Sequence, residues 1–229
     1  AAAGGDDEPP APDEPGGAVA APGPIAHPDA VEVTGEAPIA WEHPDRFGDF
    51  VAFGRTVFEA FTGPIRFMGR IPWVRRDYRT PLVFALVCML LGYLGVVMAV
   101  AADPSIVVLP EPRPGMPRLP DLPPAVVFLI GLPTTPLLFT VMLFFEAGLA
   151  HLLVRLAGAA RRPFEATFRV FAYAQVACLL LLVPGPGQLL ENFLLVFLVL
   201  TGMRLAHQTR FLAGLLALVP VMLQQMLLT

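Results

Sequence analysis

The chain has 229 residues, of which 55% are hydrophobic and only 15% are charged, whereas an ordinary soluble domain has roughly 45–50% apolar and about 25% charged residues. Its mean hydropathy is +0.66, and several apolar runs approach the ~20 residues that cross a hydrocarbon core of about 30 Å. These values exclude an ordinary soluble domain, and a net charge of −4 without a continuous basic face excludes a nucleic-acid-binding protein. We therefore predict an integral membrane protein.

The distribution of charge and the two cysteines give further information about the chain. Residues 1–40 carry eight acidic and no basic residues, whereas the remainder carries eleven acidic residues and all fifteen basic ones. Every basic residue is Arg, which together with the abundant Ala, Gly, Pro and Leu favours a genome of high GC content and hence a bacterial source. Cys88 and Cys178 each lie inside an apolar run, so we expect buried thiols and no disulfide framework.

The N-terminal segment, residues 1–37, is predicted to be a disordered acidic tail. It consists mainly of Pro, Gly, Ala and acidic residues, contains no aromatic residue and shows no hydrophobic period. Such a segment cannot bury enough apolar surface to offset its ordering entropy. It also lacks the basic and apolar regions of a secretory signal.

Residues 38–80 are predicted to form a cytoplasmic helical segment. Its apolar residues recur at helical spacing, and this pattern predicts an amphipathic helix built on Phe47, Phe50, Val51, Val57, Phe58 and Phe61. Two interpretations remain open, because such a helix either lies in the membrane interface or packs on the cytoplasmic end of a bundle. Four residues just before the first apolar run are predicted as membrane-interface anchors: Trp73, Arg75, Arg76 and Tyr78.

Residues 81–229 are predicted to form a membrane domain, so that the fold class is an all-α bundle of five transmembrane helices. Gly131, Pro133 and Pro136 predict a kink at the start of the second helix, and Gly92 and Gly95 predict close helix approach in the first. The five predicted spans are about 82–101, 125–153, 164–183, 189–206 and 211–228.

The distribution of Arg predicts the orientation of these spans. Basic residues are concentrated before the first span and in the second-to-third and fourth-to-fifth connections, whereas the other two connections carry few or none. Positive loops stay in the cytoplasm, which places the N-terminus inside and the C-terminus outside. We expect the protein in a bacterial inner membrane.

Five polar residues at or near membrane depth form a candidate polar intramembrane site. An ionised side chain in hydrocarbon costs on the order of 3 kcal/mol and is a functional candidate by default. The structural alternatives are that Glu146 pairs with an Arg of a neighbouring helix, and that Glu191 is favoured by a helix N-terminus. Glu165 and Arg169 are expected to be a structural i,i+4 pair. The candidate residues are Glu146, His151, Arg155, Glu191 and His207.

No motif of a known catalytic site is present, so we predict no enzyme activity, no catalytic residue, no metal site and no cofactor. A metal centre that combines Glu146, His151 and His207 is the weakest of the alternatives, because the spacing matches no known ligand motif.

Three stretches of the chain resemble, in order, the Yip-domain family of membrane proteins, which is named for interaction with small GTPases of the Ypt/Rab type. They are APIAWEHPDRFGDFVAFGRTVFEAFTGPIRFMGRIP, AHLLVRLAGAARRPFEATFRVFAYAQVACLLLLVPGPG and LTGMRLAHQTRFLAGLLALVP, and the resemblance covers roughly residues 38–229. It implies a five-helix membrane domain with a cytoplasmic N-terminus, and a role in trafficking or membrane shaping. It supplies no catalytic residues.

Two functions therefore compete. The first is a non-enzymatic membrane scaffold or organiser that acts through its cytoplasmic face on the lipid bilayer and on an unidentified membrane or cytoplasmic protein partner, with a homo-oligomer left open. The alternative is a transporter or permease subunit in which Glu146 and Glu191 line a polar path, since interrupted helices accompany substrate sites in transporters.

Overall fold

Proline and glycine set the boundaries of the first helices. The computed structural model describes residues 39–103, 124–208 and 211–228, and within these ranges it contains helices and no strands. A 3₁₀ turn, Ala40–Glu42, precedes α1 (Pro44–Phe47), α2 (Asp49–Thr62) and α3 (Pro64–Gly69). Pro44 and Pro64 occupy the first turns of α1 and α3, where a missing N–H costs nothing. The predicted tail, residues 1–37, lies outside the described residues.

Four helical segments are long and apolar enough to cross a membrane: Arg79–Ala102, Pro133–Leu156, Phe164–Leu182 and Gly187–His207. They belong to α4 (Arg79–Ala102), α5 (Pro124–Leu156), α6 (Phe164–Ala174) with a second 3₁₀ segment (Gln175–Leu182), and α7 (Gly187–His207). The α5 helix continues through Pro133 and Pro136. The membrane class is confirmed, and each of the first four predicted spans overlaps one of these candidate segments in the described part of the chain.

The predicted fifth span is not confirmed. Its residues form two short helices, α8 (Phe211–Leu216) and α9 (Val219–Leu228), which a turn at Ala217 and Leu218 separates. Pro220 lies at the start of α9, where its ring fits a first helical turn but could not continue a preceding helix.

The third span lies at the centre of the bundle. Every residue from 165 to 174 is buried, and the second 3₁₀ segment packs closely on α4. A Cβ atom added to Gly95 would lie 2.8 Å from the carbonyl oxygen of Leu181, and one added to Gly92 would overlap that of Cys178. The predicted close approach at Gly92 and Gly95 is confirmed, with the third span as the partner.

Residues 39–78, here called the cap, pack against one end of this bundle. Four of their apolar side chains are at most 2% exposed and join the core of the spans: Ile39, Phe67, Met68 and Ile71. The indole N–H of Trp41 donates to the carbonyl oxygen of Thr80 at 2.9 Å, and its ring contacts Phe84 of α4. Of the two interpretations for this segment, packing on the bundle is therefore observed for one side of the cap.

Candidate functional site

A buried network of charges joins the cap to the third span. Arg169 of α6 is fully buried, and its guanidinium donates to Glu42 Oε1 at 2.7 Å and to Glu165 Oε1 at 3.1 Å. The hydroxyl of Tyr173 also donates to Glu42 Oε1, and Arg75 donates to the other oxygen at 2.9 Å. Both carboxylates in this network therefore face a guanidinium, which is the condition under which a buried charge is tolerated.

The backbone of the cap completes the shell around Glu165. The N–H groups of Arg75, Arg76 and Asp77 donate to its two oxygens at 2.8, 3.0 and 3.3 Å. Three successive N–H groups can converge on one anion because Arg76 has φ +55°, in the left-handed region. The predicted i,i+4 pair of Glu165 and Arg169 is confirmed, and it is one part of a larger cap-to-bundle connection.

The four predicted interface anchors all lie within the cap. Trp73 is 8% exposed and lies 5.8 Å from the guanidinium of Arg162, whereas Tyr78 is 38% exposed and stacks on Phe164. Arg75 pairs with Glu42, and the side chain of Arg76 is exposed. Burial, followed by the charge of Glu165, raises the pKa of Tyr78. Their role at the membrane interface stays a prediction.

Two of the five candidate polar residues meet through a hydroxyl. Thr167 Oγ1 lies 2.8 Å from His151 Nδ1 and 2.9 Å from His207 Nε2. The N–H of Arg162 donates to His207 Nδ1 at 3.3 Å, so this nitrogen bears no proton and His207 Nε2 is the donor to Thr167. The result is a chain of three hydrogen bonds that links the second, third and fourth spans.

Arg155 is separate from this chain. It is exposed at the end of α5, one helical turn beyond His151. Within the described ranges, no group of three or more His, Cys, Asp or Glu side chains is placed to hold a metal ion. The combination of Glu146 with His151 and His207 therefore has no geometric support.

Glu146 and Glu191 line one cavity of about 470 Å³ between α4, α5, the second 3₁₀ segment and α7. Glu146 is 5% exposed and Glu191 is 8% exposed. Among the described residues, Oε1 of Glu146 has no hydrogen-bond partner and no basic side chain lines the cavity. The alternative in which Glu146 pairs with an Arg of a neighbouring helix is not observed in the described ranges.

The outer side of the cap is apolar and basic. The α2 helix buries its small residues Ala52, Thr56 and Ala60, while Phe50 is 94% exposed and Phe58 is 67% exposed. Beside them lies a groove of about 530 Å³ with three arginines and one acid in its wall: Arg55, Arg66, Arg70 and Glu59. Glu59 pairs with Arg55 and Arg70 at 3.1 and 2.9 Å, so two of the three arginines share one acid.

Several residues of these sites were not predicted from the sequence. Glu42 is 127 positions from Arg169, and no local pattern connects them. The available signal was Arg169 itself, because an Arg in an apolar segment requires an acidic partner. Thr167 and Tyr173 have ordinary sequence contexts, and only the packing of the third span reveals their roles.

Comparisons of the chain with family models, with curated proteins and with solved structures found no match.

Proposed function

We propose that this protein is a non-enzymatic membrane organiser that acts on the bilayer surface through its cap. The observation that carries the proposal is the outer side of α2, where large apolar side chains project from a cap that buried ion pairs fix to the bundle. Phe50 and Phe58 flank Gly54 on this side, which is here called the Phe face. An apolar helix face beside a basic groove fits the interface of a bilayer that contains anionic lipids.

The buried ion pairs matter to this function because they hold the cap, and with it the side chains that insert into lipid, in a fixed position relative to the spans. A flexible amphipathic segment can insert into lipid without affecting the orientation of the helices to which it is attached. The cap, in contrast, shares core residues with the spans and is therefore rigidly connected to them. Insertion of the Phe face would therefore displace lipid at a fixed position beside the bundle. The Yip-domain resemblance, with its role in membrane shaping, agrees with this proposal.

The proposed topology has five spans, with α8 and α9 together as the fifth, in a bacterial inner membrane. The N-terminus is cytoplasmic and the C-terminus is outside, as the Arg distribution predicts. Fusions of alkaline phosphatase and of a fluorescent protein to the C-terminus test this, since each is active on one side only. A fluorescent C-terminus would show that α8 and α9 do not cross.

The contact of the Phe face with lipid is testable with a spin label. Gly54 lies between Phe50 and Phe58, and a Cβ atom added there meets nothing within 4 Å. Because Cys88 and Cys178 are buried, a nitroxide reagent reacts selectively with G54C. In vesicles, the label is expected to collide more with oxygen than with a water-soluble nickel chelate. Equal exposure to the chelate at G54C and at the exposed control D45C would contradict the proposal.

The function itself is tested by the shape of vesicles that contain the full chain. F50S/F58S replaces the two most exposed phenylalanines of the cap with polar side chains, whereas F50L/F58L keeps these positions apolar. We expect the wild type and F50L/F58L to change vesicle diameter alike, and F50S/F58S to leave it unchanged. Substitution is preferable to deletion of the segment, because Phe67, Met68 and Ile71 belong to the core of the bundle. Equal vesicle diameters with both double variants would overturn the proposal.

A protein partner of the exposed side is sought with the same variants. Capture of the full chain from its native membrane in mild detergent, followed by identification of co-purifying proteins, shows whether a stoichiometric partner exists. A partner that F50S/F58S loses and F50L/F58L keeps would extend the organiser role to protein assembly.

Transport is the second candidate function, and the specific observation in its favour is that Glu146 and Glu191 line one cavity. It predicts a flux of solute in proteoliposomes that E146Q abolishes. A flux that E146Q leaves unchanged would remove this acid from the transport path.

A further inference from the structure

The cavity that Glu146 and Glu191 line differs from an ordinary packing defect. Its volume of about 470 Å³ falls in the range of roughly 300–1,000 Å³ that is typical of sites for small molecules. Two carboxyl groups in its wall, each more than nine-tenths buried, are costly without partners.

The unpartnered oxygen of Glu146 points to a ligand. Oε1 is buried and accepts no hydrogen bond within the described residues, and none of their basic side chains lines the cavity. At the cap end of the same bundle, by contrast, each buried carboxylate meets a guanidinium. A cation in the cavity would supply the partner that Glu146 lacks.

The rest of the wall distinguishes between kinds of cation. Mg²⁺ and Ca²⁺ require about six or more oxygen ligands, whereas most of this wall is hydrocarbon from residues such as Met89, Val96, Leu143 and Leu195. Phe139 also lines the cavity, and aromatic rings attract organic cations. Gln175 and Gln188 add amide groups to the wall. This combination fits an ammonium group attached to an apolar body.

We propose that this cavity binds a small organic cation, with Glu146 and Glu191 as its counter-charges and the apolar wall around its body. The inference is independent of the organiser function, which depends on the cap, and it gives the transport alternative a substrate class. Binding without flux would leave this inference standing while transport fails.

The test is binding of phenyltrimethylammonium to the full chain in nanodiscs of zwitterionic lipid, measured by equilibrium dialysis. Its neutral carbon isostere, tert-butylbenzene, has the same shape without the charge. We expect saturable binding of the cation at one site per chain, and at least about tenfold weaker binding of the isostere, the ratio that 1.4 kcal/mol produces. Equal affinity for the two compounds, or no saturable binding of the cation, would overturn the proposal.

Variants locate the site. E146Q keeps the shape of the side chain and is expected to weaken binding of the cation by at least about tenfold, whereas D49N removes an exposed acid of the cap and should not change it. A99F narrows the cavity while both acids remain, and should also abolish binding. Thermal unfolding of each variant is measured in parallel, so that loss of binding is distinguished from loss of fold. Unchanged affinity in both E146Q and A99F would place the cation elsewhere.

Discussion

Buried acidic side chains are paired at the cap end of the bundle, whereas the described residues leave those in the cavity unpaired. At the cap, Glu42 and Glu165 receive hydrogen bonds from Arg169, from Arg75 and from backbone N–H groups. In the cavity, the described residues offer Glu146 and Glu191 no ion pair, and one oxygen of Glu146 has no hydrogen bond. Paired acids are explained by the fold that they hold together, whereas unpaired ones are not. The comparison thus separates structural acids from candidate functional ones within a single chain.

Removal of Arg169 should have the largest effect on stability, because it removes the cation that pairs with both buried acids at the cap. R169M leaves Glu42 and Glu165 buried without their shared cation, and we expect a loss of about 3–5 kcal/mol in the free energy of unfolding. Both tryptophans of the chain, Trp41 and Trp73, lie in the cap, so their fluorescence reports its release while circular dichroism reports the helices. E42Q/R169M should be less unstable than R169M. An R169M protein with a native emission spectrum and midpoint would show that the network is not structural.

Removal of the hydroxyl of Thr167 should have a smaller effect. T167V keeps the volume of the side chain but leaves His151 Nδ1 and His207 Nε2 without their common partner. We expect a loss of about 1–3 kcal/mol, the usual cost of a buried polar group left unsatisfied. T167S retains the hydroxyl and is the matched control. Equal unfolding midpoints for T167V and T167S would show that this chain of hydrogen bonds does not stabilise the fold.

Asp77 should contribute about 1 kcal/mol to the free energy of unfolding, because it accepts hydrogen bonds from N–H groups at the N-terminus of α4. Its Oδ1 accepts the N–H groups of Arg79 and Thr80 at 2.8 and 3.3 Å. Burial opposes the charged form, but hydrogen bonds from Thr80 and Arg79 and the charge of Arg169 outweigh it and hold the pKa of Asp77 below its ordinary value of 3.8. The native carboxyl thus binds its proton less readily than the unfolded one, and its contribution is complete above pH 3.8 and lost as pH falls through the lower native pKa.

Thermal unfolding of the wild type and D77N between pH 3 and pH 7 measures this contribution. The difference between the two midpoints is expected to shrink toward the acidic end. A difference that is constant across the whole range would show that the charge of Asp77 is not involved.

Substitutions of the unpaired acids Glu146 and Glu191 are expected to cause the smallest loss of stability. E146Q and E191Q remove carboxyl groups that no described partner stabilises, so neither should lower the free energy of unfolding by more than about 1 kcal/mol. The contrast with R169M is the direct test of the comparison between the two ends. A loss in E146Q as large as that in R169M would mean that Glu146 is a structural acid with a partner.

The hydrophobic pattern alone predicted the membrane class and five spans, because each run approaches the length of a bilayer core. Four of the five coincide with helices that are long and apolar enough to cross a membrane. Gly92 and Gly95 also predicted close packing correctly, since small residues permit close approach of backbones. The candidate site was predicted only in part. Glu146 and Glu191 belong together, but His151 and His207 form a separate chain and Arg155 is exposed.

What the sequence could not predict depends on contacts between distant segments. Periodicity identified an apolar side of α2, but it could not show that the small residues face the bundle and that Phe50 and Phe58 face away. Similarly, the spacing of Glu165 and Arg169 predicted their pairing, whereas the addition of Glu42 required knowledge of where the cap docks.

The second 3₁₀ segment, Gln175–Leu182, changes the reach of the third span. Its eight residues rise about 16 Å at the ~2.0 Å per residue of this helix type, and the eleven residues of α6 rise about 16 Å at 1.5 Å each. Together they span about 32 Å, whereas nineteen α-helical residues would reach only about 28 Å and fall short of a hydrocarbon core of roughly 30 Å. The tighter winding thus allows a segment with a buried Arg near one end to cross the bilayer without additional residues.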